Sequence, residues 1–358
     1  MNKDQIFIAL WAEKGGVGKS THTFNVASKI SLKHRVLMID ADPQCSLTHV
    51  CLYDKLQNGY DNYIFNDNKV KTLYQSIQPV QQGNDIIIPD CIELTKISKN
   101  LLLLPGNWRL SYFESFLPNR EDQIGKPDTI DFSGVIYHSI LKMAKAYNVE
   151  YVFIDMSPSM TALNRCMLMS CHYIILPTIP DLYSAESIRR LEQYIEENWI
   201  PLTKKIIEYS HYNKYPFPSH YPKFLGYIMS RYDIKKQGEI KDGIVEDIVP
   251  DNIAYWQKEI DERIDNLLKR FKRHSPPLAL LKTYSSCLAK IKNFNSLGVL
   301  SQICNRPIWN LQKDELKRFK DGEWQKLNSS DARSNIAQSK EYSEIYDNLV
   351  INILNLIN

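Results

Sequence analysis

Apolar positions in this chain fall into two kinds of pattern, short runs that are apolar throughout and longer stretches with helical spacing. Ile6-Phe7-Ile8-Ala9-Leu10-Trp11-Ala12, Val36-Leu37-Met38-Ile39, Leu101-Leu102-Leu103-Leu104, Tyr151-Val152-Phe153-Ile154, Tyr173-Ile174-Ile175-Leu176 and Phe224-Leu225-Gly226-Tyr227-Ile228-Met229 carry no charged residue. A strand covered on both faces loses the alternation that a half-exposed strand shows, so these runs predict a sheet sandwiched between helices. Thr21 to Leu32 reads as a helix with Phe24, Val26, Ala27 and Ile30 on or near its buried face. Further helices are expected over about 132–147, 161–170, 185–198, 258–274 and 330–357. Arg120 to Asp131 is polar, contains Gly125 and Pro127, and reads as an exposed loop. From about 50 to 100 the pattern is weaker, with breaks at Pro79, Gly83 and Pro89. The expected fold class is α/β, with a doubly wound, mostly parallel sheet.

The first run leads directly into Glu13-Lys14-Gly15-Gly16-Val17-Gly18-Lys19-Ser20-Thr21. A buried strand, a glycine-rich turn and then Lys-Ser at the start of a helix form the sequence signature of a phosphate-binding loop. Glycines without a Cβ let several backbone N–H groups converge on one phosphate, and the helix N-terminus adds its positive dipole end. Lys19 supplies charge for the β- and γ-phosphates, and the Ser20 hydroxyl suits Mg²⁺. At roughly one in twenty per position, Lys-Gly-Gly-x-Gly-Lys-Ser arises by chance in about 10⁻⁵ of chains this long. An ordinary solvated turn is set aside on that ground, and a nucleoside triphosphate is the expected ligand.

Composition narrows the rest. The chain has 358 residues and is 44% hydrophobic, which is globular. A formal charge of +3 does not by itself argue for nucleic acid, so any basic footprint must be local. The seven cysteines form an odd set without a C-x-x-C pair, which speaks against a disulfide framework and a zinc knuckle. They are expected to be reduced thiols of a cytoplasmic protein. No apolar run approaches a membrane span, and the first strand follows the N-terminus too closely for a signal peptide.

Carboxylates stand at the ends of two further runs. Asp40 and Asp42 follow the second strand, and Asp155 follows Tyr151-Val152-Phe153-Ile154. In an open parallel sheet ligands bind beyond the carboxyl ends of the strands, so all three are expected to face the phosphates. Each taken alone is as ordinary as a helix cap or turn residue.

The strict phosphate-loop pattern needs a glycine where this chain has Glu13, and a second lysine, Lys14, stands beside it. This form resembles the deviant Walker A motif of the ParA/MinD family of ATPases. Val36-Leu37-Met38-Ile39-Asp40-Ala41-Asp42-Pro43-Gln44 resembles that family's second motif, and Asp155 occupies its Walker B position, with Ser157 before Pro158 as a mild departure. Lys223 to Asp233 and Lys292 to Ile308 resemble later segments of the same family. The likeness covers about two-thirds of the chain, and it implies a P-loop NTPase fold of one domain over 1–358 with a helical insertion at about 235–290.

The resemblance also implies roles. ATP and Mg²⁺ are the expected cofactors. Lys14, Gly15, Gly16, Val17, Gly18, Lys19, Ser20 and Thr21 would hold the phosphates, and Arg231 and Asn293 would lie at the base. Ser20, Asp40 and Asp155 belong to the metal environment, and Asp42 would polarise the attacking water. Lys14 would reach across a homodimer to the partner's nucleotide. The expected function is an ATP-dependent dimerising switch that controls non-specific DNA binding in partition or cargo positioning, with a ParB-like or other activating partner and association with the nucleoid. A switch coupled to a dedicated effector is the alternative.

Four further stretches bear on partners. The basic end of the 258–274 helix, Lys269, Arg270, Lys272 and Arg273, is the candidate DNA contact; the Lys317-Arg318-Phe319-Lys320 cluster is shorter. Tyr209 to Tyr221 reads as a proline-rich loop packed by its own rings. The terminal helix carries no Lys or Arg after Lys340, so core packing is expected rather than the membrane binding of the MinD branch. The cysteines do not match the context needed by the nitrogenase iron protein branch.

Overall fold

A computed structural model of the chain describes residues 5–57, 59–65, 69–87, 90, 92–121, 133–210, 214–216, 218, 222–232, 240–241, 244–245, 249–274, 286–320 and 323–357. The elements in chain order are β1 (Ile6–Leu10), α1 (Lys19–Ile30), β2 (Val36–Ala41), α2 (Ser46–Leu52), α3 (Tyr60–Phe65), α4 (Leu73–Ile77), β3 (Thr95–Lys96), β4 (Leu101–Leu104), α5 (Leu110–Glu121) and α6 (Ser133–Ala146). They continue with β5 (Tyr151–Met156), α7 (Ala162–Met169), β6 (Tyr173–Thr178), α8 (Leu182–Tyr194), α9 (Ile200–Ser210), β7 (Lys223–Ser230), β8 (Ile240–Lys241), β9 (Ile244–Val245) and α10 (Asp251–His274). β10 (Cys287–Ile291), α11 (Ser296–Ile303), β11 (Lys317–Lys320), β12 (Glu323–Lys326) and α12 (Ser329–Ile357) complete the chain.

Eight strands form one sheet in the order β10-β7-β6-β1-β5-β2-β4-β3. Every pairing in it is parallel except that of β3 with β4. The apolar runs are central strands because both faces need apolar cover. Along β1, Phe7 and Ala9 enter one core with residues of α6, α7, α8 and α10, while Ile8 and Leu10 enter the other with α1, α2, α11 and α12. The expected doubly wound sheet is the one observed.

The connectivity places the candidate residues. The chain runs from β1 through α1 to β2 on one side, and from β5 through α7 to β6 on the other, so β1 lies between β5 and β6. Register then sets Asp40 of β2 directly beside Asp155 of β5 at the carboxyl edge.

Several boundaries differ from the sequence reading. α10 begins at Asp251, seven residues before the expected 258, and Ile253 and Trp256 in its first turns pack, half-buried, against the same core as Ile260, Ile264 and Leu267. α8 begins at Leu182 rather than Ala185, since Asp181 caps it by accepting the Ser184 N–H at 2.8 Å. The weak stretch after residue 50 holds the end of α2, then α3, α4 and β3, with short 3₁₀ turns. The predicted 120–131 loop lies outside the described residues apart from its first two, which close α5. Most of 209–221 also lies outside them; Tyr215 within it is buried and donates to Asp85 at 2.6 Å.

The terminal helix packs as expected. Tyr342, Tyr346, Leu349, Val350 and Ile353 of α12 are buried in the core beside α1. Among the described residues no helix is long and apolar enough to cross a membrane, and the six described cysteines are free thiols.

Candidate functional site

The turn between β1 and α1 takes the form its glycines allow. Gly16 and Gly18 have φ of +73° and +90°, a region costly for any side chain. α1 opens immediately after Gly18, so its unpaired N-terminal N–H groups border the turn. Lys19 is 7% exposed, and its Nζ lies 3.3 Å from the carbonyl oxygen of Lys14. Burial lowers the Lys19 pKa, and the carboxylates of Asp155 and Asp42 oppose that shift.

The carboxylates differ in their surroundings. Asp40 is fully buried; its Oδ2 accepts from the Thr48 N–H at 2.8 Å and the Thr48 hydroxyl at 2.7 Å, and its Oδ1 accepts from the Asp42 N–H at 3.2 Å. It therefore ties the 42–48 turn to the sheet. Burial still pushes its carboxyl up to about 7 against those hydrogen bonds. Asp42 accepts from the Gln44 N–H at 2.9 Å. Asp155 is fully buried, and neither of its oxygens has a hydrogen bond of good geometry. Burial, with Asp40 adding to it, raises the Asp155 pKa well above the ordinary carboxylate value, and nearby Ser20 and Lys19 only partly offset this.

An orphaned carboxylate is costly in a protein interior unless a cation or donor meets it. Asp155 sits near a lysine and a serine hydroxyl, an oxygen-rich set that fits a hard divalent ion sharing its shell with phosphate and water. The residues present thus fit Mg²⁺.

A cleft of about 780 Å³ opens on Lys19 and Asp42, whereas Asp40 and Asp155, both fully buried, are not among the residues that line it. Gly15 to Thr21 and Asp42 line one part of it, and Arg231 and Asn293 line the other. The expected phosphate-side and base-side residues therefore share one cavity. Arg231, with φ of +53°, directly follows β7. Reading the sequence did not single out His49, Tyr53, Ser230 or Phe294, which also line it. Ser230 had a usable signal, since it ends a buried strand at the carboxyl edge. The others depend on how α2 and the segment after β10 fold over the loop.

Lys14 is not among the residues that line this cleft. Its ammonium pairs with the Asp181 carboxylate of the same chain and sits 5.6 Å from the centre of the Tyr183 ring. Burial pushes the Asp181 carboxyl up, but Lys14 and the Ser184 N–H outweigh it and hold the pKa below its usual value. Leu182 and Tyr183 beside this pair are 48% and 71% exposed. The candidate DNA residues are elsewhere, on the last turns of α10. Lys269 there is exposed; the side chains of Arg270, Lys272 and Arg273 lie outside the described residues.

The family model AAA_31, an AAA domain, matches residues 5–206, which is more than half of the chain. An uncharacterised protein of Methanocaldococcus jannaschii is 28% identical over 193 residues, covering 54% of this chain and 66% of its own length. The chromosome partitioning protein ParA of Myxococcus xanthus is 25% identical over 190 residues, covering 53% of this chain and 57% of its own. The chain thus spans under two-thirds of each relative. In structure it resembles pNOB8 ParA, solved bound to nonspecific DNA, with a TM-score of 0.52 and 18% identity over 98% of this chain and 99% of that one. That likeness concerns the fold alone. With its doubly wound sheet, its glycine turn opening α1 and a family match over more than half its length, the chain belongs to the AAA_31 family of ParA-type P-loop ATPases.

Proposed function

We propose that this chain binds and hydrolyses Mg-ATP and uses the cycle as a dimerising switch for non-specific DNA binding, in plasmid or chromosome partition or in positioning another cargo. The observation that carries the reading is the placement of its two loop lysines. Lys19 is buried near Asp155 and lines the chain's own cleft, whereas Lys14 stands outside that lining, beside exposed Leu182 and Tyr183. A cation outside its own cleft and next to exposed Leu182 and Tyr183 suits a second copy of the chain, whose phosphates it would neutralise.

Within one cleft, Gly15 to Thr21 would cradle the phosphates, and Arg231 and Asn293 would border the base. Ser20 and Asp155 would hold Mg²⁺, with Asp40 beside them, and the bound ion would neutralise phosphate charge. Asp42 would orient the attacking water. Loss of the γ-phosphate contacts would then release the pair. The DNA-bound pNOB8 relative supports a nucleic-acid partner, for which Lys269, Arg270, Lys272 and Arg273 are the candidate contacts. A ParB-like or other protein would stimulate turnover, and DNA binding would bring the chain to the nucleoid.

Light scattering and gel shifts with non-specific duplex DNA, each with and without ATP and across a salt series, test this. ATP-dependent dimers that bind DNA with a steep salt dependence are the expected result. Monomers at saturating ATP would overturn the switch. Dimers indifferent to DNA would instead support a switch for a dedicated effector.

A further inference from the structure

The phosphate loop is joined to the terminal helix through a buried histidine that nucleotide chemistry does not require. His22, in the first turn of α1, has no exposed surface. Its Nε2 lies 2.6 Å from Ser230 Oγ, and its Nδ1 lies 2.9 Å from the Tyr346 hydroxyl of α12. Ser230 Oγ is also 3.1 Å from the carbonyl oxygen of Val17, inside the loop.

One constraint orders every proton in this row. A carbonyl oxygen only accepts, so Ser230 donates its single proton to Val17 and accepts from His22 Nε2–H; Nδ1 then accepts from the Tyr346 hydroxyl. All the groups are satisfied by a neutral ring, and burial pushes the His22 pKa down to about 3, which keeps it neutral. The loop also rests on the ring, since a Cβ at Gly18 would lie 3.0 Å from His22 Nε2.

α12 reaches the other part of the cleft one turn earlier. The Tyr342 hydroxyl donates to the carbonyl oxygen of Asn293 at 2.8 Å. Its ring lies 5.2 Å from Phe294, and Phe294 in turn lies 5.9 Å from His22. α12 is tied to α1 separately through Lys29, which pairs with Asp347 at 3.0 Å and donates to Ser343 at 2.8 Å. Lys29 lies in the last turn of α1, remote in sequence from the loop.

We infer that Tyr346, His22 and Ser230 form a positioning relay through which α12 sets the Val17 carbonyl, so that α12 clamps the nucleotide cleft by Tyr346 on the loop side and Tyr342 on the base side. This rests on reading the cleft as a nucleotide site. Tyr346, His22 and Tyr342 are positioning residues, for they act on the ligand through the backbone of Val17 and Asn293, while Ser230, which also lines the cleft, carries the link to Val17. Linkage makes the effect reciprocal: a docked α12 favours nucleotide, and nucleotide stabilises α12. Loss of one link should weaken nucleotide binding about three- to tenfold, the usual range for one net hydrogen bond.

The test is titration of the full chain with a fluorescent ATP analogue, with thermal unfolding and amide hydrogen exchange measured in parallel. Tyr346→Phe, Ser230→Ala and Tyr342→Phe should each lose affinity in that range. Lys29→Gln should lower the melting temperature while leaving affinity unchanged. His22→Gln, which retains a donor towards Ser230, should bind more tightly than His22→Ala. Nucleotide should slow exchange across α12 in the wild-type chain and much less in Ser230→Ala. Wild-type affinity in Ser230→Ala, or losses in all variants including Lys29→Gln that simply track melting temperature, would overturn the relay. A wild-type chain that binds no nucleotide would instead refute the reading of the cleft, and the relay with it.

Discussion

Replacing Asp181 by Asn isolates the charge that holds Lys14 within its own subunit. The Asp181 carboxylate accepts the Ser184 N–H at 2.8 Å to cap α8 and pairs with Lys14. Asn is as good a cap as Asp, so Asp181→Asn keeps the helix start and removes the ion pair. The side chains of Lys14 and Asp181 are 21% and 34% exposed, between surface and interior. Exposed pairs contribute about 0.2–1 kcal/mol and charged hydrogen bonds about 1.5–3, so after solvent screening about 1 kcal/mol is reasonable here. A dimer that draws Lys14 across to the partner's phosphates must break two such pairs, at a cost of about 2 kcal/mol. Asp181→Asn is therefore expected to tighten ATP-dependent dimerisation about thirtyfold. Sedimentation or light scattering over a concentration series at saturating ATP measures this, and high salt should shrink the difference. Asp181→Ala would also lose the cap, about 1 kcal/mol, and so serves as the control for helix stability. If Asp181→Asn dimerises no better than the wild-type chain, Asp181 does not compete for Lys14.

Other expectations are simpler. Lys19→Ala should abolish nucleotide binding, and ordinary affinity in an equilibrium titration would remove this lysine from the phosphate site. Asp42→Ala should bind ATP, stall hydrolysis and accumulate dimers; unchanged phosphate release would count against its role. Gly106→Ala would place a Cβ 2.8 Å from Asp40 Cγ and 2.9 Å from Cys45 Sγ, and overpacking of this kind costs about 1–3 kcal/mol in urea unfolding. A variant of unchanged stability would mean that the 40–48 turn yields freely. Burial raises the pKa values of Asp40, to about 7, and of Asp155. Between the ordinary carboxylate value and about pH 7 the folded chain then binds more protons than the unfolded chain, so stability without nucleotide should fall as pH rises through that window. Asp155→Asn should flatten the slope, and wild-type stability that rises across the same range would contradict the assignment.

Much of the fold was legible because its central strands are buried on both faces. β1, β2, β4, β5, β6 and β7 each contain a run of apolar residues that only such burial explains. β3 is two residues held by backbone pairing, and β10 is half-exposed and carries Lys290, so neither leaves a run to find. The first turns of α10 were harder to read because Ile253 and Trp256, which pack on the core, are only half-buried and stand beside an exposed Tyr255.

The candidate site divides along the same line. By itself the sequence marked the glycine turn that opens α1 and the strand-end carboxylates Asp40, Asp42 and Asp155 as candidates, because glycines and charges at strand ends act within a few residues of their neighbours. Tertiary structure alone decided that Lys14 meets Asp181, 167 residues away, and that His22 meets Tyr346, 324 residues away. No local periodicity encodes such pairs. They exist because α8 and α12 pack against opposite faces of one sheet and bring their side chains to the same edge of it.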